Sequence, residues 1–171
     1  MSIDLLIYKN CYILLIIRLK IYNVVMRTKV KIIKLEHNKY IPRYQTEGSS
    51  GMDLHAAIDE PILLNPLERA LIPTGLKIEL PKDFEAQVRA RSGLAIKHGV
   101  SLINAIGTID EDYRGEICVG VVNLSNEPYT INPDERIAQM VFAKVEKVEL
   151  EVAEELTSTT RAEGGFGSTG K

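Results

Sequence analysis

A chain of 171 residues with 45% apolar and 26% charged side chains has the composition of one globular domain with a core of its own. The formal charge is −2, with 21 basic and 23 acidic residues interspersed, so no basic face points to polymeric nucleic acid. Two cysteines, Cys11 and Cys118, lie far apart and are not spaced with histidines, which excludes a disulfide scaffold and a structural zinc site and suits a reducing cytoplasm.

The first 25 residues differ from the rest. Residues 11–17 (Cys-Tyr-Ile-Leu-Leu-Ile-Ile) are apolar but give way to Arg18 and Lys20, well short of the ~20 residues that span a bilayer. A secretory signal needs a basic start and a small-residue cleavage site, and neither is present. The expectation is an upstream extension, 1–25, with Met26 opening the domain; a membrane-surface anchor is the rival reading.

From Thr28 onward, short strands alternate with turn residues. Residues 76–80 (Leu-Lys-Ile-Glu-Leu) and 84–91 (Phe-Glu-Ala-Gln-Val-Arg-Ala-Arg) alternate strictly, which puts apolar side chains on one face and polar ones on the other. Residues 116–122 and 137–145 are β-branched and nearly continuous, which predicts strands covered on both faces. Between the strands lie Gly48-Ser49-Ser50-Gly51, Asn65-Pro66, Pro73-Thr74-Gly75, Asn126-Glu127-Pro128 and Asn132-Pro133-Asp134, all turn chemistry at the spacing of a sandwich or barrel. Only residues 92–98 look helical, with Leu94, Ala95 and Ile96 as the apolar positions. There is no internal repeat. The prediction is an all-β, jelly-roll-type sandwich over 26–156 and a polar arm over 157–171, whose last ten residues are expected to be mobile.

Five stretches carry polar residues that a plain β-sandwich does not need. In Gly51-Met52-Asp53-Leu54 the carboxylate follows a glycine, as an Asx-turn residue would. In Arg91-Ser92-Gly93-Leu94-Ala95 a strand passes into the short helix, where free N–H groups and the dipole favour anions; a surface ion pair and a simple cap are the plainer roles. Residues 104–115 read as a hairpin ending in the acidic turn Asp110-Glu111-Asp112. In residues 136–142, Gln139 interrupts an apolar strand on the face of Ile137 and Val141, and an unpaired buried amide costs ~1–3 kcal/mol, so it needs a partner. The tail, Gly164-Gly165-Phe166-Gly167-Ser168-Thr169-Gly170, is glycine-rich around one aromatic but lacks the lysine and strand–helix context of a P-loop.

Together, from about Lys29 to Gly170, these stretches resemble in order and spacing the five motifs of the trimeric dUTPase family. The resemblance implies hydrolysis of dUTP to dUMP and pyrophosphate with Mg2+, which keeps uracil out of DNA and supplies dUMP for dTTP synthesis. Asp110 matches the catalytic carboxylate that activates water for attack on the α-phosphorus. Asn104, Gly107, the backbone of Thr108, Ile109 and Asp110, and the returning strand near Cys118 match the uracil pocket. Tyr113 matches the ring under the deoxyribose, where a 2′-hydroxyl would collide. Arg91, Ser92 and Gly93 match the triphosphate clamp, and Gln139 the partner of the α-phosphate or the attacking water. Asp53 matches the carboxylate that meets the metal through water; the family often has an aromatic where Met52 stands. Arg161 is implied at the γ-phosphate and Phe166 on the uracil, with Gly167, Ser168 and Thr169 at the phosphates, in an arm ordered by the nucleotide. The family likeness also implies a cytoplasmic homotrimer with shared sites and no membrane partner. Two readings remain beside it. One is a dCTP deaminase-like member of the same fold, told apart by its product, and against which Gly107-Thr108-Ile109-Asp110 with Tyr113-Arg114-Gly115 speaks. The other is a non-catalytic β-sandwich, told apart by whether Asp110→Asn abolishes turnover.

Overall fold

The computed structural model describes residues 28–165, so the extension at 1–25 and the tail residues Phe166, Gly167, Ser168 and Thr169 lie outside it. Within that span the chain forms eleven strands and one helix. Four antiparallel strands make the larger sheet, in the order β2 (Met52–His55), β11 (Arg136–Lys144), β6 (Phe84–Ala90) and β8 (Ile106–Ile109). Three make the facing sheet: β4 (Arg69–Pro73), β9 (Cys118–Asn123) and β7 (Val100–Leu102). Two ribbons complete the fold, β1 (Lys31–Lys34) with β5 (Leu76–Glu79) and β3 (Ile62–Leu64) with β10 (Tyr129–Ile131). The predicted β-sandwich is what forms.

The alternation read from the sequence decides which side chains meet between the layers. Leu54, Ala86, Val88 and Met140 come from the larger sheet, Ile72, Val100, Val119 and Val121 from the smaller, and all belong to one buried cluster. Burial of each such Val, Leu, Ile or Met contributes ~1.5–3 kcal/mol. Leu76 and Ile78 alternate inward as predicted. On β9 no residue is exposed, in keeping with a strand covered on both faces. On β11 double cover reaches only from Ile137 to Met140, and the later residues are half-buried or exposed.

Two further expectations change. The helix α1 (Ser92–His98) forms, but of its three apolar positions only Leu94 is buried and Ile96 is exposed, because about two turns of helix place only one of these consecutive positions on the face toward the sandwich. The hairpin expected at residues 104–115 is not a ladder. Its first strand, β8, pairs with β6 in the larger sheet, while the returning strand, β9, pairs with β4 and β7 in the other. The loop through Asp110 therefore crosses from one layer to the other, and the two strands stay apart.

Candidate active site

That separation builds a pocket. β8 is an edge strand, so one row of its backbone N–H and C=O groups has no strand partner among the described residues. Across the gap, β9 pairs with β7 only from Val121 onward, which leaves Cys118 at the open end. The space between is a pocket of about 350 Å3 lined by Leu71, Thr108, Ile109, Asp110, Tyr113, Glu116 and Cys118. Backbone groups left unpaired here need polar partners, and a flat heterocycle can supply donors and acceptors along one edge.

Asp110 follows the last residue of β8, exposed, and its carbonyl accepts the Tyr113 N–H at 3.1 Å, closing the acidic turn. The Tyr113 ring folds back over Gly115, and its hydroxyl donates to the Glu116 carbonyl at 2.9 Å. A Cβ at Gly115 would stand 2.3 Å from that hydroxyl, so only glycine lets the ring lie there. Burial, then the charge of Glu116, pushes the Cys118 thiol up from its ordinary value, so it lines the pocket as a neutral, weakly polar group. Asn104 is exposed in the turn before β8, and a Cβ on Gly107 would meet it and Val88 at 3.4 and 3.3 Å.

Arg91, Ser92 and Gly93 stand at the other end of β6. Ile109 lies opposite Ala86, five residues before Arg91 on β6, so the two groups are separated by about 16 Å of strand. The first turn of α1 has no side-chain cap, so its free N–H groups are not taken up by a capping side chain, and the space beside Gly93 is open. Gln139 lies between β2 and β6, its amide donating to the Ala90 carbonyl at 3.0 Å. The partner that this amide needs is thus partly supplied from within the chain. The residue just before β2 that faces it must be small: a Cβ on Gly51 would stand 2.7 Å from the Gln139 Oε1. A register shift between Arg136 and Ala138 alters the expected face, since Ile137 joins the core cluster while Gln139 and Val141 stay on the Gly51 side.

Asp53 is placed between two arginines. Its Oδ1 is 3.0 Å from the Arg91 Nε and its Oδ2 3.3 Å from the Arg136 Nη1. No group of three or more His, Cys, Asp or Glu able to hold a metal is found among the described residues. Arg161 is exposed in the arm, its Nε donating to the Gly164 carbonyl at 2.8 Å. Sequence reasoning singled out neither Arg136, which the register shift turns toward Asp53, nor Leu71, whose exposed side chain forms one wall of the pocket. Two adjacent apolar residues at 71 and 72, on a strand with only one buried face, were the available signal for Leu71.

An unpaired strand edge beside a base-sized pocket, with a free carboxylate at its rim and an arginine-bearing turn, defines a nucleotide-processing jelly roll. The family model described as dUTPase matches residues 37–170, and the chain belongs to the dUTPase family. It is 57% identical over 145 residues to the deoxyuridine 5'-triphosphate nucleotidohydrolase of Fusobacterium nucleatum subsp. nucleatum, covering 85% of this chain and 99% of that one. The enzyme of that name from Cytophaga hutchinsonii is 58% identical over 146 residues, covering 85% and 94%. Among solved structures, the dUTPase of Staphylococcus bacteriophage 80alpha with dUPNHPP superposes with a TM-score of 0.76 at 25% identity, covering 85% of this chain and all of that one.

Proposed function

We propose that the chain hydrolyses dUTP to dUMP and pyrophosphate, with the nucleoside held in the gap between β8 and the start of β9. The observation that carries this reading is the unpaired edge of β8 facing a pocket whose lining includes the Asp110 carboxylate. Backbone groups of Thr108 and Ile109 would read the uracil edge. Tyr113, braced by Gly115 and the Glu116 carbonyl, would lie flat under the deoxyribose and leave no room for a 2′-hydroxyl. Asp110 takes a proton from water as the water oxygen bonds to the α-phosphorus. The bond from that phosphorus to the bridging oxygen breaks, and pyrophosphate leaves. A positioned base of this kind contributes ~10²–10⁴ in rate. The dCTP deaminase-like and non-catalytic readings are not favoured, since the relatives at 55–58% identity carry the nucleotidohydrolase name.

Arg91, Ser92, the Gly93 backbone and Gln139 would hold the phosphates, joined by Arg161, Gly167, Ser168 and Thr169 of the arm, while Phe166 would stack on the uracil. The donor set does not make a resident Mg2+ site, because Asp53 already meets two guanidiniums and no ligand cluster surrounds it among the described residues. Mg2+ fits instead as part of the substrate, carried on phosphate oxygens and water, as this ion prefers.

One chain does not complete such a site. The separation of about 16 Å along β6 between the Asp110 turn and the Arg91 turn supports a shared site, with the pocket of one subunit facing the phosphate groups of another. A closed C3 trimer with three such sites, each covered by an arm, satisfies this. Residues 1–25 stand outside that unit in this proposal, and a chain beginning at Met26 keeps full activity and stability.

Pyrophosphate release from a panel of nucleotides, with and without Mg2+, tests the reaction: release from dUTP alone supports it, and release from UTP or dCTP at equal rates refutes it. Light scattering gives the assembly. Mixing an Asp110→Asn chain with one cut after Leu156, each inactive alone, should restore part of the activity through exchanged subunits. A fully active monomer would refute the shared site.

A further inference from the structure

The ion pairs of Asp53 have a geometry that its expected metal role does not explain. Arg91 is gripped on two sides, by the Asp53 Oδ1 at its Nε and by the Arg136 carbonyl, which accepts from its Nη1 at 2.9 Å. The Arg136 guanidinium reaches back to the other oxygen of Asp53. These contacts tie β2, β11 and the residue after β6, three neighbours in one sheet. The Asp53 side chain is 14% exposed, against 27% for Arg91 and 52% for Arg136, so the carboxylate is the buried centre and the guanidiniums lie toward solvent.

The register of β11 makes this arrangement. Gln139 lies opposite Asp53 and Ala138 opposite Leu54, so a regular ladder would put Ile137 opposite His55 and turn Arg136 toward the core. The irregularity between Arg136 and Ala138 instead sets Arg136 opposite His55, on the face of Asp53, and sends Ile137 inward at 2% exposure. A bulge that re-aims a side chain beside an active site is a recurrent device. Here it brings a second guanidinium to a carboxylate that already holds the first.

We propose that Asp53 and Arg136 are positioning residues for Arg91, fixing its guanidinium as a phosphate-binding group, and that Asp53 is not a ligand of Mg2+. The proposal rests on the reading of Arg91 as a phosphate clamp. A side chain with several free torsions loses binding energy to ordering unless it is held beforehand, and a carboxylate on Nε leaves the outer edge of the guanidinium free for an anion. A divalent cation at the same carboxylate would have to stand beside two positive groups already within 3.3 Å of its oxygens. With two guanidiniums around one carboxylate, the cluster keeps a net charge of +1 and suits an anion.

The test compares Asp53→Asn, Arg136→Gln, Arg91→Ala and the double variant Asp53→Asn/Arg91→Ala in the full-length enzyme. Each is assayed for KM and kcat with dUTP, and for the Mg2+ concentration that gives half-maximal rate. Asp53→Asn should raise KM for dUTP about 10- to 100-fold, the cost of losing a hydrogen bond between charged groups, with kcat and the Mg2+ half-saturation changed less than about twofold. Arg136→Gln should move KM in the same direction by less. In the Arg91→Ala background Asp53→Asn should add nothing, because it acts through the side chain already removed. A raised Mg2+ half-saturation with KM unchanged at saturating Mg2+ would overturn the proposal, as would additive effects in the double variant. If Asp53→Asn fails to fold, Arg136→Gln decides alone, and an unchanged KM there counts against it. An Arg91→Ala enzyme with wild-type KM would sink the clamp reading itself, an outcome distinct from the others.

Discussion

Strand β6 serves both halves of the proposed site, and its two ends are built on different principles. Near Ala86 the partner strand leads into a pocket made of backbone, a free edge on β8 with a tyrosine ring laid over a glycine and an exposed carboxylate beside it. Near Arg91 the site is made of side chains, with one nearly buried carboxylate gripping two guanidiniums from neighbouring strands. A base is told from others by the positions of a few donors and acceptors, which a rigid main chain presents well. A triphosphate is bound through charge, which calls for mobile cationic side chains held in place.

The difference can be broken from either end. Asp110→Asn should have the largest effect, cutting turnover by ~10²–10⁴ while dUTP binding measured by calorimetry persists. If activity is mostly retained, Asp110 is not the base. Gly115→Ala comes next: the new methyl displaces the Tyr113 ring, and the preference for dUTP over UTP should fall by about tenfold or more, since misplacements near 1 Å cost up to ~10². Competition assays with the two nucleotides measure it, and an unchanged preference would remove Tyr113 from the role of sugar filter.

Gln139→Ala sharpens the other end. It removes the donor to the Ala90 carbonyl, and urea denaturation should show a loss of ~1 kcal/mol even without nucleotide. No loss would mean that the amide serves the ligand alone.

The smallest effect concerns the turn beside Asp110. The Glu111 carboxylate accepts from Lys147 at 2.9 Å and from the Asp83 N–H at 2.7 Å, and these contacts, Lys147 first, hold it below the usual carboxylate range. A group depressed in the folded state stabilises above its unfolded pKa of about 4.3 and loses that contribution as pH falls through the folded value. The melting temperatures of the wild type and Glu111→Gln should therefore differ slightly at neutral pH and converge in acid. A gap that widens on acidification would contradict this sign.

Much of the site could be read in the chain, though not how it is assembled. Strand alternation at residues 76–80 and 84–91 gave the inward faces, since a half-buried strand must segregate its side chains by parity. The acidic turn, the Arg91-Ser92-Gly93 corner and Gln139 stood out because polar groups there serve no core. What could not be read was pairing. Nothing local distinguishes a hairpin from a loop that crosses between layers, so β8 and β9 were expected to close on each other.

The sequence by itself determined the fold class, the inward residues of the strictly alternating strands and the chemical types of the candidate site, because these depend on periodicity and side-chain chemistry. Only the tertiary structure decided that β8 stays open toward β9, that the Asp110 and Arg91 turns lie at opposite ends of one strand, and that Arg136 turns toward Asp53. These are matters of register between distant segments. A one-residue irregularity reverses which face a side chain takes, and no local pattern records where it falls.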